Sequence, residues 1–198
     1  MAKNKNLIKN TSYNFKLRSR PSFFIGIYII TTSLLIDMVI VGFTTEASPF
    51  SFLTVNFLEF FIFSISLLGI TFSLLALFFG NRKHQRRIGY KIWNKNSKKM
   101  MWFVFLLLTI LYIIAFYLLR TAQEAFIIPT FIISYGILLL ILNLSKTITL
   151  YLFSIASILI GFIPLFVDGF GFYTLIILGV IHLIYSYLNK KLNALQIQ

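Results

Sequence analysis

Six long apolar stretches follow one another along this chain, and they constrain its fold more than any motif does. Charged side chains are almost absent from these stretches, which cover residues 22–43, 50–80, 100–119, 125–144, 148–167 and 170–188. A helix needs about 20 mostly apolar residues to cross the hydrocarbon core of a bilayer. The stretches therefore predict an all-α polytopic membrane protein, a bundle of six transmembrane helices forming one domain.

The composition agrees with a protein that lies in a bilayer. Charged residues make up 12% of the chain and hydrophobic residues 59%, whereas about a quarter of the residues in soluble domains are charged. The longest polar stretch, residues 81–99, is too short to build a soluble core of its own. The chain has no cysteine, which excludes disulfides, thiolate metal sites and cysteine nucleophiles.

The positions of the 18 Lys and Arg residues predict which helix ends share a compartment. Six of these residues lie in the N-terminal tail (1–21), eight between the second and third stretches, one between the fourth and fifth, and two after the sixth. With six spans all seventeen face one side, and only Arg120 faces the other. Cytoplasmic loops retain Lys and Arg, so we expect both the N-terminal tail and the C-terminal tail (189–198) on the cytoplasmic side of a bacterial inner membrane.

A net charge of +13 raises the question of nucleic acid binding, but membrane topology accounts for the charge and we expect no nucleic acid partner. Eight cations are concentrated between residues 81 and 99, interleaved with apolar and aromatic residues. This pattern predicts a segment lying on the anionic cytoplasmic leaflet, or alternatively a docking surface for an acidic cytosolic protein. The candidate contact residues are Arg82, Lys83, Arg86, Arg87, Lys91 and Trp93.

Two carboxylates fall inside predicted spans, where ionisable groups are costly and often functional. Asp37 and Glu59 would lie in adjacent antiparallel helices toward the outer leaflet, with Arg120 at the outer mouth as a counter-ion. Together they suggest a site for a cation or a shared proton. In the structural alternative, Asp37 pairs with Arg120 or with a hydroxyl such as that of Thr44, and Glu59 caps an interfacial helix start.

His182 and Tyr185 lie in the inner part of the sixth stretch, three residues apart and hence on one helix face. A proton relay or a substrate contact is one hypothesis. The other is a neutral histidine that bonds a neighbouring helix, with Asn143 and Ser145 as candidate partners. The only other histidine, His84, lies in the basic segment, so no metal site is expected.

The chain contains no HExxH, Walker A, GxSxG or CxxC motif. We therefore expect no enzyme activity and no cofactor.

Three short stretches are similar to a family of uncharacterised small bacterial integral membrane proteins. They are residues 89–93 with 97–99, residues 129–136, and residues 179–185. Members have six predicted spans and are often encoded beside winged-helix regulators. The resemblance implies the six-span topology and draws attention to Trp93, Tyr135 and His182, but it implies no activity.

The sequence favours a non-catalytic sensor, accessory or assembly subunit. Its expected partners are anionic lipid at the cytoplasmic face and a membrane or cytosolic protein, or a second copy of the chain. The alternative is a small transporter or proton-coupled permease that uses Asp37, Glu59 and His182.

Overall fold

The computed structural model of the chain describes residues 17–45, 52, 54–87, 95–121, 126–143, 148–167 and 169–195. These residues form α-helices and short turns, with no strand among them, so the all-α prediction is confirmed. The helices are α1 (Ser19–Thr44), α2 (Val55–Arg87), α3 (Lys95–Arg120), α4 (Ile127–Leu142), α5 (Ile148–Phe162) and α6 (Gly171–Leu195). A 3-10 turn, Ile163–Leu165, continues α5.

Four helical segments are long and apolar enough to cross a membrane. They are Ser19–Thr44, Val55–Gly80, Ile148–Leu165 and Gly171–Lys191. The apolar segments Trp102–Leu118 and Ile127–Leu142 are shorter, and at 1.5 Å per residue each measures about 25 Å against a core of about 30 Å.

The second and third helices extend into the segment that the sequence predicts as a basic loop. α2 continues to Arg87, seven residues past Gly80, and α3 already begins at Lys95. Backbone hydrogen bonding does not require apolar side chains, and Arg, Lys and Gln are good helix formers. Residues 82, 83, 86 and 87 therefore lie on the last turns of α2. The side chains of Lys83, Arg86 and Arg87, and all of Lys91 and Trp93, lie outside the described residues.

α1 lies between two antiparallel neighbours, α6 and α2, and it packs against them more extensively than against any other helix. Glycines allow the close approach in both pairs. A Cβ on Gly26 would lie 2.8 Å from the carbonyl oxygen of Gly179, and a Cβ on Gly69 would collide with Thr32. Small residues at helix contacts are typical of membrane bundles, since packing there replaces the hydrophobic effect.

α4 and α5 form a second closely packed antiparallel pair. A Cβ on Gly136 would lie 2.8 Å from the carbonyl oxygen of Ser154, and a Cβ on Gly161 would lie 3.1 Å from the backbone nitrogen of Ile133. α4 also contacts α2, α3 and α6, so the apolar core lies around α4. Before α6, Gly169 has a φ of 76°, the left-handed conformation that favours glycine in a tight turn.

Candidate functional site

His182 lies on α6 at its contact with α1 and is 0% exposed. Ser22 faces it from α1, one helical turn before Gly26, while Gly179 lies almost one turn before His182 on α6. Because the two glycines bring the helix backbones together, the short serine side chain reaches both the ring and the main chain of the histidine. The histidine cluster consists of His182 with Ser22, Tyr135 and Phe153.

Hydrogen bonds occupy both ring nitrogens of His182. The Ser22 hydroxyl lies 3.2 Å from Nδ1 and donates to the His182 carbonyl oxygen at 2.8 Å. The Tyr135 hydroxyl, from α4, lies 3.1 Å from Nε2. Since the one serine proton goes to the carbonyl, Nδ1–H donates to Ser22 Oγ and Nε2 accepts from Tyr135. This assignment gives a neutral ring and a partner for each group.

Phe153 of α5 covers the imidazole, with the ring centroids 4.5 Å apart and the planes inclined at 37°. Residues from α1, α4, α5 and α6 thus meet at one buried side chain. An ionised imidazole would here face hydroxyls and an aromatic ring, and a buried charge is costly without an opposite charge. The cluster is suited to cross-linking four helices, and its closed geometry gives a substrate no access to the ring.

Tyr185 shares Phe153 with the histidine but bonds elsewhere. Its ring meets Phe153 edge-on at 5.0 Å, and its hydroxyl donates to the Leu17 carbonyl oxygen at 2.9 Å. The next residue along α6 is Ser186, and its Oγ donates to the Ser19 carbonyl oxygen at 2.8 Å. Tyr185 therefore helps to attach the beginning of α1 to α6, and it does not extend the hydrogen-bond chain of His182.

The partners of His182 differ from those that the sequence suggests. The ring bonds Ser22 and Tyr135, whereas Asn143 and Ser145 were expected, and Ser145 lies outside the described residues. A sequence signal existed for Ser22, because Ser22 and Gly26 form the small-xxx-small spacing of closely packed membrane helices. No local pattern in α4 indicates that Tyr135 turns toward α6.

The carboxylates Asp37 and Glu59 lie far from this cluster. Asp37 is half-buried on α1, fifteen residues beyond Ser22 and so about 22 Å away along the helix axis. Glu59 is half-buried near the start of α2. Gly69 lies against Thr32, and Gly80 lies against Pro21. In this antiparallel register Asp37 is level with residue 64 of α2. Glu59 is then about 8 Å away along α2.

The expected counter-ion does not join Asp37. Within the described ranges Asp37 has no hydrogen bond or ion pair, and the Thr44 hydroxyl donates to the Val41 carbonyl oxygen at 2.9 Å. Arg120 is exposed at the end of α3, with its guanidinium carbon 5.3 Å from the centre of the Phe116 ring. A cation at a helix C-terminus is favourable through the helix dipole, which gives Arg120 a local structural role.

A small cavity of about 30 Å³ adjoins Tyr135 between α1, α2, α4 and α6. Its polar lining includes Thr32, Ser66 and Ser73, and the rest is mostly apolar. This volume has room for a water molecule or two but is far below the several hundred Å³ of typical ligand pockets. Among the described side chains, no group of three His, Asp or Glu residues is arranged to hold a metal ion.

No protein-family model, curated protein or solved structure matches the chain.

Proposed function

We propose that this chain is a six-span bacterial inner-membrane protein without catalytic activity. It would act as a sensor, accessory or assembly subunit whose basic cytoplasmic face contacts anionic lipid or a protein partner. One observation carries this proposal: His182 is fully enclosed and both of its ring nitrogens are bonded inside the bundle. The most chemically versatile side chain in the apolar region is therefore used to hold helices together.

The six-span topology with cytoplasmic termini is part of the proposal and has three supports. Four helical segments reach spanning length and two shorter apolar ones complete the set. A hydrophobic segment somewhat shorter than the core is accommodated by local thinning of the bilayer. The charge distribution favours cytoplasmic termini. Membership of the uncharacterised six-span family belongs to the same proposal.

The transport alternative has less support. Asp37 lies about 22 Å along α1 from Ser22, which bonds His182, and the cavity beside Tyr135 is too small for an organic substrate. A carboxylate near one end of the bundle and an enclosed imidazole near the other do not form one pathway.

The role of the basic segment can be tested by neutralising three of its cations. The variant Arg86→Gln/Arg87→Gln/Lys91→Gln would be purified in mild detergent and compared with the native chain by mass spectrometry of co-purifying proteins and lipids. We expect the variant to lose a partner protein or anionic lipid that the native chain retains.

The matched control is Lys3→Gln/Lys5→Gln/Lys9→Gln, which removes the same charge from the N-terminal tail. Equal losses in both variants would mean that only net charge matters. The proposed function would be refuted if the native chain were recovered as a monomer without bound protein or lipid, and if cells carrying the basic-segment variant grew normally.

A further inference from the structure

A groove of 1180 Å³ opens on the surface of the bundle over α1, between α2 and the last turns of α6. Most of the residues that line it are apolar, and five of them are aromatic. Phe24 and Tyr28 come from α1, while Phe72 and Phe79 come from α2 and are 48% and 52% exposed. The rings of Tyr28 and Phe72 are 5.7 Å apart. The groove is therefore an apolar channel on the outside of the bundle.

Cations lie at one end of this groove and no carboxylate lines it among the described residues. Arg20 of α1 and Lys190 of α6 both line it and are exposed. The hydroxyls of Ser19 and Ser186, also in the lining, bond each other's backbone carbonyls. The positive charges of Arg20 and Lys190 therefore favour an anionic ligand at this end of the groove.

Two further arginines lie at the same end. Arg82 follows Phe79 by three residues, which places it one turn further along the same face of α2. The α1–α2 pairing sets Arg18 almost level with it. The Nε atoms of Arg18 and Arg82 are buried without a hydrogen-bond partner in the structure. Buried donors of this kind normally have an acceptor, and a phosphate oxygen is one that arginine binds well.

The length of the groove fits one leaflet of a bilayer. Residues 20 to 28 of α1 and residues 72 to 80 of α2 each contain nine residues, and the eight steps between the first and the last rise about 12 Å. One leaflet contributes about 15 Å of a hydrocarbon core about 30 Å thick. The cationic end then lies at headgroup level, and the aromatic walls lie at the depth of the acyl chains.

We propose that this groove binds one anionic phospholipid, with its phosphate beside Arg20 and Lys190 and an acyl chain along Phe24, Tyr28 and Phe72. The inference rests on the proposed function only in assigning this end of the bundle to the cytoplasmic leaflet. The site differs from Arg86, Arg87 and Lys91 of the basic segment, because the cations that line it, Arg20 and Lys190, come from α1 and α6 and adjoin an apolar channel.

Native mass spectrometry of the full chain in mild detergent tests the site, with phosphatidylglycerol and phosphatidylcholine titrated separately. We expect one phosphatidylglycerol to bind more tightly than phosphatidylcholine. Each cation near a membrane surface contributes about 1 kcal/mol. The variant Arg20→Gln/Lys190→Gln should therefore bind phosphatidylglycerol about 30-fold more weakly, at about 1.4 kcal/mol per tenfold change.

The charge control is Lys98→Gln/Lys191→Gln, which removes two exposed cations outside the groove. A second variant, Ala76→Phe, fills the groove with a side chain, and Ile184→Phe adds the same group at an exposed position outside it. We expect Ala76→Phe to displace the lipid and both controls to retain it. Thermal melts identify any variant that fails to fold. If one groove variant does not fold, the other groove variant and its control still test the site.

Equal binding of the two lipids, or equal retention by the groove variants and their controls, would overturn the inference. The inference would also be overturned if a protein co-purified with the native chain and Ala76→Phe displaced that protein, and not a lipid. If partner recovery supports the proposed function while phosphatidylglycerol does not bind, this inference alone fails. If the lipid binds as expected but the basic segment proves irrelevant, the site stands and the proposed function fails.

Discussion

At the scale of single residues, His182 shows how a polar side chain is accommodated in an apolar bundle. Both ring nitrogens and the carbonyl oxygen of the same residue have partners at 2.8–3.2 Å. Hydrogen bonds between membrane helices contribute on average about 0.6 kcal/mol, since the separated helices also find partners. Leaving a buried group unpaired costs more, about 1–3 kcal/mol. The cluster is therefore most sensitive to the loss of one member.

His182→Ala should destabilise the chain by about 2–4 kcal/mol, because it leaves a cavity and two buried hydroxyls that lose their ring partner. Tyr135→Phe should cost about 1–3 kcal/mol, because Nε2 of the buried histidine loses its donor, and the double variant should cost less than the sum because the residues are in contact. Unfolding titrations in mixed micelles measure all three. Tyr187→Phe, at an exposed tyrosine of α6, is the control and should behave as the native chain.

A His182→Ala chain with native stability and an altered growth phenotype would contradict the structural role. It would make the cluster a functional site.

Asp37 differs from His182 in its hydrogen bonding. It is a half-buried carboxylate on α1 and has no polar partner in the described part of the chain. Asp37→Asn removes a charge that is costly within a membrane span, so the variant should be as stable as the native chain or more stable. The same variant in reconstituted vesicles with a pH-sensitive dye tests the transport hypothesis. Loss of a proton flux in Asp37→Asn, and not in the nearby Thr44→Val, would favour transport after all.

At the scale of helices, glycines determine which pairs approach closely. Gly26 meets Gly179 across α1 and α6, and Gly136 meets Ser154 across α4 and α5. In each pair an added Cβ would lie 2.8 Å from a backbone carbonyl oxygen, which cannot move aside as a flexible side chain can. The histidine cluster depends on the first contact, because Ser22 reaches His182 only while the backbones stay close.

Gly26→Leu should separate α1 from α6 and destabilise the chain by more than the 1–3 kcal/mol typical of overpacking, since the Ser22–His182 bonds are lost as well. Val180→Leu is the control, because Val180 lies beside Gly179 in sequence but is exposed. Unfolding titrations of the two variants measure the difference. Comparable stability of Gly26→Leu and the native chain would mean that the helices do not need this close contact.

The helices themselves follow from the sequence more readily than their ends do. The described parts of all six apolar stretches are mostly helical, since long apolar runs favour helical backbone in a bilayer and their two prolines, Pro129 and Pro164, lie near helix ends. Hydropathy places the end of the apolar segment at Gly80, whereas the helix continues through Arg82 to Arg87 after the apolar residues stop. Helical propensity, and not the edge of the apolar region, determines where such a helix ends.

At the scale of the whole molecule, two topologies with different numbers of membrane spans can be compared. A four-span chain, with α3 and α4 both on the cytoplasmic side, would keep the seventeen cations of the tails and loops together equally well. The segment of sequence between α3 and α4 distinguishes the two topologies, because it faces outward only if both helices cross. We expect six spans.

The absence of cysteine makes this topology measurable without background labelling. Ala122→Cys should react with a membrane-impermeant maleimide added to intact spheroplasts, while Asn96→Cys should react only after lysis. Ala47→Cys is outward in both topologies and controls for access of the reagent. Protection of Ala122→Cys until lysis would establish four spans and remove that part of the proposed function.

The sequence by itself determined the helical class, the apolar character of the helices and the concentration of cations at predicted cytoplasmic ends. Those properties depend on composition along the chain, which hydropathy and charge describe directly. Only the tertiary structure decided that His182 bonds Ser22 and Tyr135, that Asp37 lies about 22 Å along α1 from this cluster, and that Arg20 and Lys190 share a groove. These arrangements involve residues as far apart in sequence as Arg20 and Lys190, and they depend on which helices the glycines allow to meet.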